Sequence, residues 1–124
     1  MIYLDTHVIV WLYAGDVERL SERTKELIND NDIYISPIVA LELQYLFEIE
    51  RITETSQTIV ADLSDRIGLS ICNQNFVKVV NGALQHSWTC DPFDRLIVAN
   101  AAIHNNILVT KDQRILENYN KAIW

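Results

Sequence analysis

The chain is short of the residues that build special scaffolds. Its two cysteines, Cys72 and Cys90, are too few for a disulfide framework or a four-ligand zinc site, so a reducing, cytoplasmic setting is expected. Three glycines and two prolines disfavour an all-β sandwich, whose many short strands need such turn residues. No apolar run approaches the ~20 residues of a membrane span. The opening MIYLDTHVIVWL carries no basic flank and is interrupted by Asp5 and His7, so it is not expected to act as a signal peptide. Basic residues are scarce too: 10 Lys and Arg face 17 Asp and Glu, a net charge of −7. That balance argues against binding nucleic acid through bulk positive charge.

What is present is material for one core. At 124 residues, 49% of them apolar, the chain is expected to form a single domain over residues 1–124 and not to be disordered. The charge is uneven. Residues 1–67 hold 13 acids and 5 bases, whereas residues 68–124 hold 4 acids and 5 bases. The early acids read as solvated helix faces. Of the four late acids, Asp91 and Asp94 fall within one short stretch.

Short apolar runs alternate with helical patterns. Ile2–Leu4, Ile33–Ile35, 69–72 and 107–109 read as buried strands, and 122–124 as a terminal fifth. Between them, a short apolar segment runs from Val8 to Tyr13 and ends at Gly15. Ser21 caps a helix reaching Asn29 that carries Leu20, Thr24, Leu27 and Ile28 on one face. Ser36-Pro37 opens a strongly patterned helix with Val39, Leu43, Leu46 and Phe47. Thr53 or Thr55 starts another, running to Ile67. Asn75 starts one whose apolar face is Phe76, Val79, Val80, Ala83 and Leu84. Asp91-Pro92 opens one to about His104, and a short helix begins near Gln113. Alternation of this kind predicts an α/β, three-layer sandwich: a mostly parallel, about five-stranded sheet flanked by helices.

In open sheets of this class, ligands bind beyond the carboxyl ends of the strands. Asp5 and Thr6 follow the first strand. Glu42 lies about two turns into the helix after the second. Thr110, Lys111 and Asp112 follow the fourth, and Asp91 and Asp94 start the helix leading into it. Asp5, Glu42, Asp94 and Asp112 can therefore reach one rim. Clustered carboxylates repel unless a cation separates them. All-oxygen donors suit Mg²⁺ or Mn²⁺, and such an ion can activate water against a phosphodiester.

Each acid also has a simpler reading. Asp5, Asp91 and Asp112 stand where they can cap helices, and Asp94 lies near the positive end of a helix dipole. Glu42, alone in an apolar stretch, needs a metal or a basic partner. His7 reads as facing a helix–helix contact, Trp88 as a loop residue covering the domain edge, and Cys72 as a buried strand residue. Arg95 reads equally as a phosphate contact or as one half of a salt bridge.

Four segments, in order, resemble the PIN domain family, and within it VapC-like toxin ribonucleases: MIYLDTHVIVWL, SPIVALELQYL, DPFDRLIVANA and ILVTKD. They span almost the whole chain. The resemblance implies a PIN-like sheet and Mg²⁺- or Mn²⁺-dependent endoribonuclease activity in the toxin of a toxin–antitoxin pair. It places Asp5, Glu42, Asp94 and Asp112 as catalytic, metal-holding acids. Asp91, Thr110 and Thr6 are supporting residues, and Arg95, Lys111 and Arg114 are RNA-contact candidates. It implies an RNA substrate, a cognate antitoxin and a homodimer, with a docking groove near Tyr45 and Leu46. His86-Ser87-Trp88-Thr89-Cys90 departs from the family pattern, in which His and Arg often precede the DPFDR segment.

Two rival readings remain. A receiver-like phospho-acceptor domain shares the size, sheet and acid cluster, but wants paired acids after the first strand and an acceptor Asp after the third. Here those places hold Asp5-Thr6 and Cys72-Asn73. A catalytically inactive PIN-like binding module is the other, and four retained acids speak against it.

Overall fold

A computed structural model describes residues 1–124. Five strands form one sheet: β1 (Ile2–Leu4), β2 (Ile33–Ile35), β3 (Ser70–Ile71), β4 (Ile107–Val109) and β5 (Ala122–Ile123). Every pairing is parallel, in the order β3-β2-β1-β4-β5. Seven α-helices connect them: α1 (Thr6–Ala14), α2 (Glu22–Asp30), α3 (Pro37–Glu48), α4 (Ser56–Ile67), α5 (Phe76–Ala83), α6 (Pro92–Ala102) and α7 (Gln113–Asn118). A single 3₁₀ turn spans Val17–Arg19.

Ile2, Tyr3 and Leu4 are all buried. Successive strand residues point to opposite faces, so helices must cover both sides of β1. Edge strand β3 is exposed at both residues. The core follows this geometry, with Ile2, Leu4, Ile9, Ile35, Leu43 and Leu108 among its largest fully buried side chains.

Local chemistry sets the helix starts. Ser21 accepts a hydrogen bond from Thr24 N, Ser36 from Ile38 N, Thr55 from Thr58 N and Asn75 from Lys78 N. Each satisfies an N–H that the helix itself leaves unpaired. Gly15, at φ 72°, ends α1 in the left-handed region that favours glycine.

The expected elements are present, with three differences. α1 begins at Thr6 instead of Val8, because Asp5 caps it. β3 shortens to Ser70–Ile71, although the flanking Leu69 and Cys72 are buried. On α5, Val79 and Ala83 face inward, while Phe76 and Leu84 are each 65% exposed. That helix has eight residues and packs against α6, so its neighbour covers only a narrow stripe of the predicted apolar face.

β1 and β4 are neighbours at the centre, and the chain departs from them in opposite directions, to β2 and to β5. Their carboxyl ends thus flank the point where the strand order reverses, the usual crevice of open α/β sheets.

Candidate active site

The rim is built from that crevice outward. Asp5 leaves β1 with its own N–H donating to Val109 O of β4 at 3.0 Å. Its side chain is buried, 7% exposed. Oδ1 accepts from Thr6 N at 2.7 Å, and Oδ2 from the Thr110 hydroxyl at 2.6 Å. Thr110 is fully buried, and its hydroxyl oxygen also accepts from Asp112 N at 3.0 Å. One hydroxyl therefore ties the ends of β1 and β4 and the start of α7 together.

Glu42 is half-buried on α3. It has no basic partner; instead its Oε1 accepts from the hydroxyl of buried Thr6. Asp112 caps α7, its Oδ1 accepting from Arg114 N at 2.9 Å and Ile115 N at 3.1 Å. Asp91 caps α6 through Phe93 N at 2.8 Å and Asp94 N at 3.3 Å. The capping readings are thus realised for Asp5, Asp91 and Asp112. In each of the three, capping fixes the carboxylate's direction without removing it from the rim.

Asp94 differs, because its carboxyl neither caps a helix nor sits in an ion pair. It is half-buried in the first turn of α6, and its pKa is pushed up to about 7 by burial first, then by the negative fields of Asp91, Asp5, Asp112 and Glu42. Burial raises Asp5 as well, against the opposing hydrogen bonds from Thr110 and Thr6. Glu42 is raised by burial, with the charges of Asp5 and Asp91 adding to it. The four acids from β1, α3, α6 and α7 therefore share one field, as expected of clustered carboxylates. The three ion pairs of the fold, Arg19–Asp16, Lys25–Glu22 and Arg66–Asp62, involve none of them.

An uncompensated set of oxygen donors fits a hard divalent cation by chemistry. No three of the side chains converge closely enough to ligate one ion jointly, so the fit is one of donor type and field and not of a closed shell. The acids line an open rim; a groove of about 160 Å³ lies elsewhere, bordered by Ser36, Ile38, Leu41, Gln74, Leu96 and Asn100.

The basic candidates separate. Arg95 makes neither a salt bridge nor a rim contact: its guanidinium donates to Ala83 O at 3.1 Å and Leu84 O at 3.5 Å, closing the end of α5. Arg114 donates to Trp88 O, fastening the 86–90 loop to α7. Lys111 is exposed, with Nζ 5.9 Å from the centre of the Trp11 ring and 5.8 Å from that of Trp124. Trp88 packs half-buried against the core. Tyr45 is 47% exposed and packs on the Phe93 ring of α6 at 5.7 Å.

His7 corrects the sequence reading. It is exposed, not set into a helix–helix contact. Its ring lies 6.1 Å from that of Trp11, and it weakly opposes, without overcoming, the upward shifts of Asp5 and Glu42. Its position two residues past Asp5, in the first turn of α1, was the available signal. Trp11, one turn further on, carried none.

A parallel five-stranded sheet with acids gathered at its central carboxyl edge defines a class, and comparison with known proteins gives the family. The PIN domain family matches residues 2–121, and the chain belongs to it. It is similar to Ribonuclease VapC22 of Mycobacterium tuberculosis, 32% identical over 120 residues, covering 92% of this chain and 88% of that protein. Two solved structures share the fold. One is VapBC2 from Rickettsia felis bound to a DNA fragment from its promoter (TM-score 0.67, 22% identity, 99% of this chain and 96% of that one). The other is a toxin–antitoxin complex from Klebsiella pneumoniae (TM-score 0.69, 17% identity, 100% and 97%).

Proposed function

We propose that residues 1–124 form a single nuclease domain that hydrolyses RNA phosphodiester bonds, as the toxin of a toxin–antitoxin pair. The observation that carries this reading is the gathering of Asp5, Glu42, Asp94 and Asp112 at one rim, where none of them is in an ion pair and Asp94 is raised to about 7 by burial and by its acidic neighbours. Membership of the PIN family and likeness to a protein named as a ribonuclease support the substrate.

Asp5, Glu42, Asp94 and Asp112 would hold Mg²⁺ or Mn²⁺. A divalent cation held there would screen charge on the phosphate and lower the pKa of water. The chain supplies orientation. Thr110 and the Thr6 N–H aim the Asp5 carboxylate, Thr6 restrains Glu42, and the first turn of α7 directs Asp112. Hydrolysis would add the hydroxyl of water to phosphorus and break the bridging P–O bond, with the other proton of water going to the departing sugar oxygen. Asp91 supports the rim by setting the start of α6 that presents Asp94. Lys111 is the RNA contact retained from the basic candidates.

A cognate antitoxin is the proposed partner, since structural neighbours are described as toxin–antitoxin complexes. Leu41, Tyr45, Phe76, Val77 and Leu84 are exposed apolar residues of α3, α5 and the turn after it. They give the antitoxin and a homodimeric partner a surface to cover. No helix is long and apolar enough to cross a membrane, and the cytoplasm is the proposed location. The receiver-like reading loses its support: β3 is followed by Cys72-Asn73, and the family is PIN.

The test is cleavage of total RNA with Mg²⁺ or Mn²⁺, with and without EDTA. Cleavage should require the ion and vanish in Asp5→Asn with the fold intact by circular dichroism. Undiminished cleavage by that variant would remove the site assignment. Cation binding without any cleavage would favour the inactive binding module.

A further inference from the structure

Beside the acids lies a surface that their chemistry does not use. His7, Trp11 and Trp124 form a continuous aromatic strip, with ring centres 6.1 Å apart from His7 to Trp11 and 5.8 Å from Trp11 to Trp124. Both tryptophans are half-buried against the core, leaving part of each ring uncovered by it, and His7 is exposed. Two cations stand over the strip. Lys111 lies within 6 Å of both tryptophan ring centres, and Arg19 is 5.8 Å from that of Trp11. Arg19 is paired with Asp16 at 2.7 Å, whereas Lys111 makes no ion pair.

The strip is joined to the rim at two places. His7 is two residues past Asp5, and Lys111 immediately precedes Asp112. In a chain of net charge −7, unpaired positive charge beside a carboxylate cluster is scarce. Aromatic faces with adjacent cations are the elements by which proteins hold single-stranded nucleic acid: bases stack, and phosphates meet the cations. A free lysine beside a phosphodiester-cleaving rim suits a polyanionic chain better than it suits an apolar protein segment.

We propose that Trp11, Trp124, His7 and Lys111 form a binding strip for single-stranded RNA flanking the scissile bond, with Lys111 on a neighbouring phosphate and a tryptophan or the imidazole beneath a base. Arg19 is a secondary phosphate contact. The proposal rests on the ribonuclease reading for its substrate but makes separate predictions. Stacking ignores base identity, so the strip contributes affinity and register and leaves sequence choice to other contacts.

The experiment measures binding of a labelled single-stranded oligoribonucleotide by fluorescence anisotropy in the Asp94→Asn protein, and cleavage in the active one. Lys111→Gln alters an exposed side chain and should fold normally. It should weaken binding roughly tenfold, raise KM and leave kcat nearly unchanged. Trp11→Leu should weaken binding to an oligonucleotide with bases, but not to one made abasic at the stacked position. If the active protein cleaves RNA while Lys111→Gln matches it in KM and affinity, the strip is overturned and the ribonuclease reading stands. If RNA binds through the strip and is never cleaved, the strip stands and the ribonuclease reading falls. Absence of RNA binding removes both. Loss of antitoxin affinity in Lys111→Gln, with RNA binding unchanged, would assign the strip to a protein partner and overturn the proposal.

Discussion

Asp94 carries the clearest conflict between stability and chemistry. Its folded pKa, about 7, lies above the ordinary carboxylate value because burial and four neighbouring acids disfavour its charge. A group raised in this way stabilises the fold below its unfolded pKa, and that stability is lost as pH rises toward 7. Asp94→Asn should therefore abolish cleavage yet raise the Tm measured in EDTA near neutral pH. Allowing for solvent screening of a half-buried group, the gain is roughly 1–2 kcal/mol, and it should disappear by about pH 4. Calorimetry across that range checks it; an unchanged or lower Tm at neutral pH would contradict the assigned field. Thr110 makes the complementary case, since its one hydroxyl serves Asp5 and Asp112. Thr110→Val should cost about 1–3 kcal/mol by leaving buried groups unpaired. It should slow cleavage roughly 10–100-fold through misdirected acids, whereas Thr110→Ser should retain most of both.

Among the helices, α5 and α6 show how a residue that looks functional is taken up by the fold. Arg95 follows Asp94, but its guanidinium closes the carbonyl end of α5. Cations there also face the negative end of the helix dipole. Arg95→Ala should lower Tm by the equivalent of about 1 kcal/mol while leaving cleavage near wild type. A fall in kcat/KM as deep as that of Asp5→Asn would return Arg95 to the substrate. α3 shows the opposite case: Glu42 sits between the apolar Leu41 and Leu43, and Thr6, at the start of α1, meets its carboxylate.

Over the molecule as a whole, the charge of −7 bears on how the proposed RNA substrate would be held. The acids of residues 1–67 far outnumber the bases there, and Arg95 and Arg114 are engaged with backbone carbonyls. Few phosphates are then neutralised by protein cations, so little counterion is released on binding. RNA affinity should depend weakly on salt, with a log–log slope between about −1 and −2, from roughly two phosphate contacts on a single strand. A slope several times steeper, measured by anisotropy from low to high salt, would reveal a basic surface that the fold does not display.

Much of this was legible in one dimension. Strand and helix alternation, polar caps at Ser21, Ser36 and Asn75, and acids at the carboxyl ends of the strands all depend on local spacing, and local spacing is written in the chain. Hence the parallel sheet and the nomination of Asp5, Glu42, Asp94 and Asp112 could be read before any packing was known. The rest depends on contacts between distant segments. Whether an arginine meets a phosphate or a carbonyl, whether His7 is buried or exposed, and whether Trp11, Lys111 and Trp124 adjoin are settled by strand order and helix packing. Nothing in the spacing of residues 11, 111 and 124 predicts that they meet; β4 and β5 bring them together by pairing beside β1. Tertiary structure also decided the proton affinities, because desolvation and the summed field of acids from four elements exist only once those elements pack.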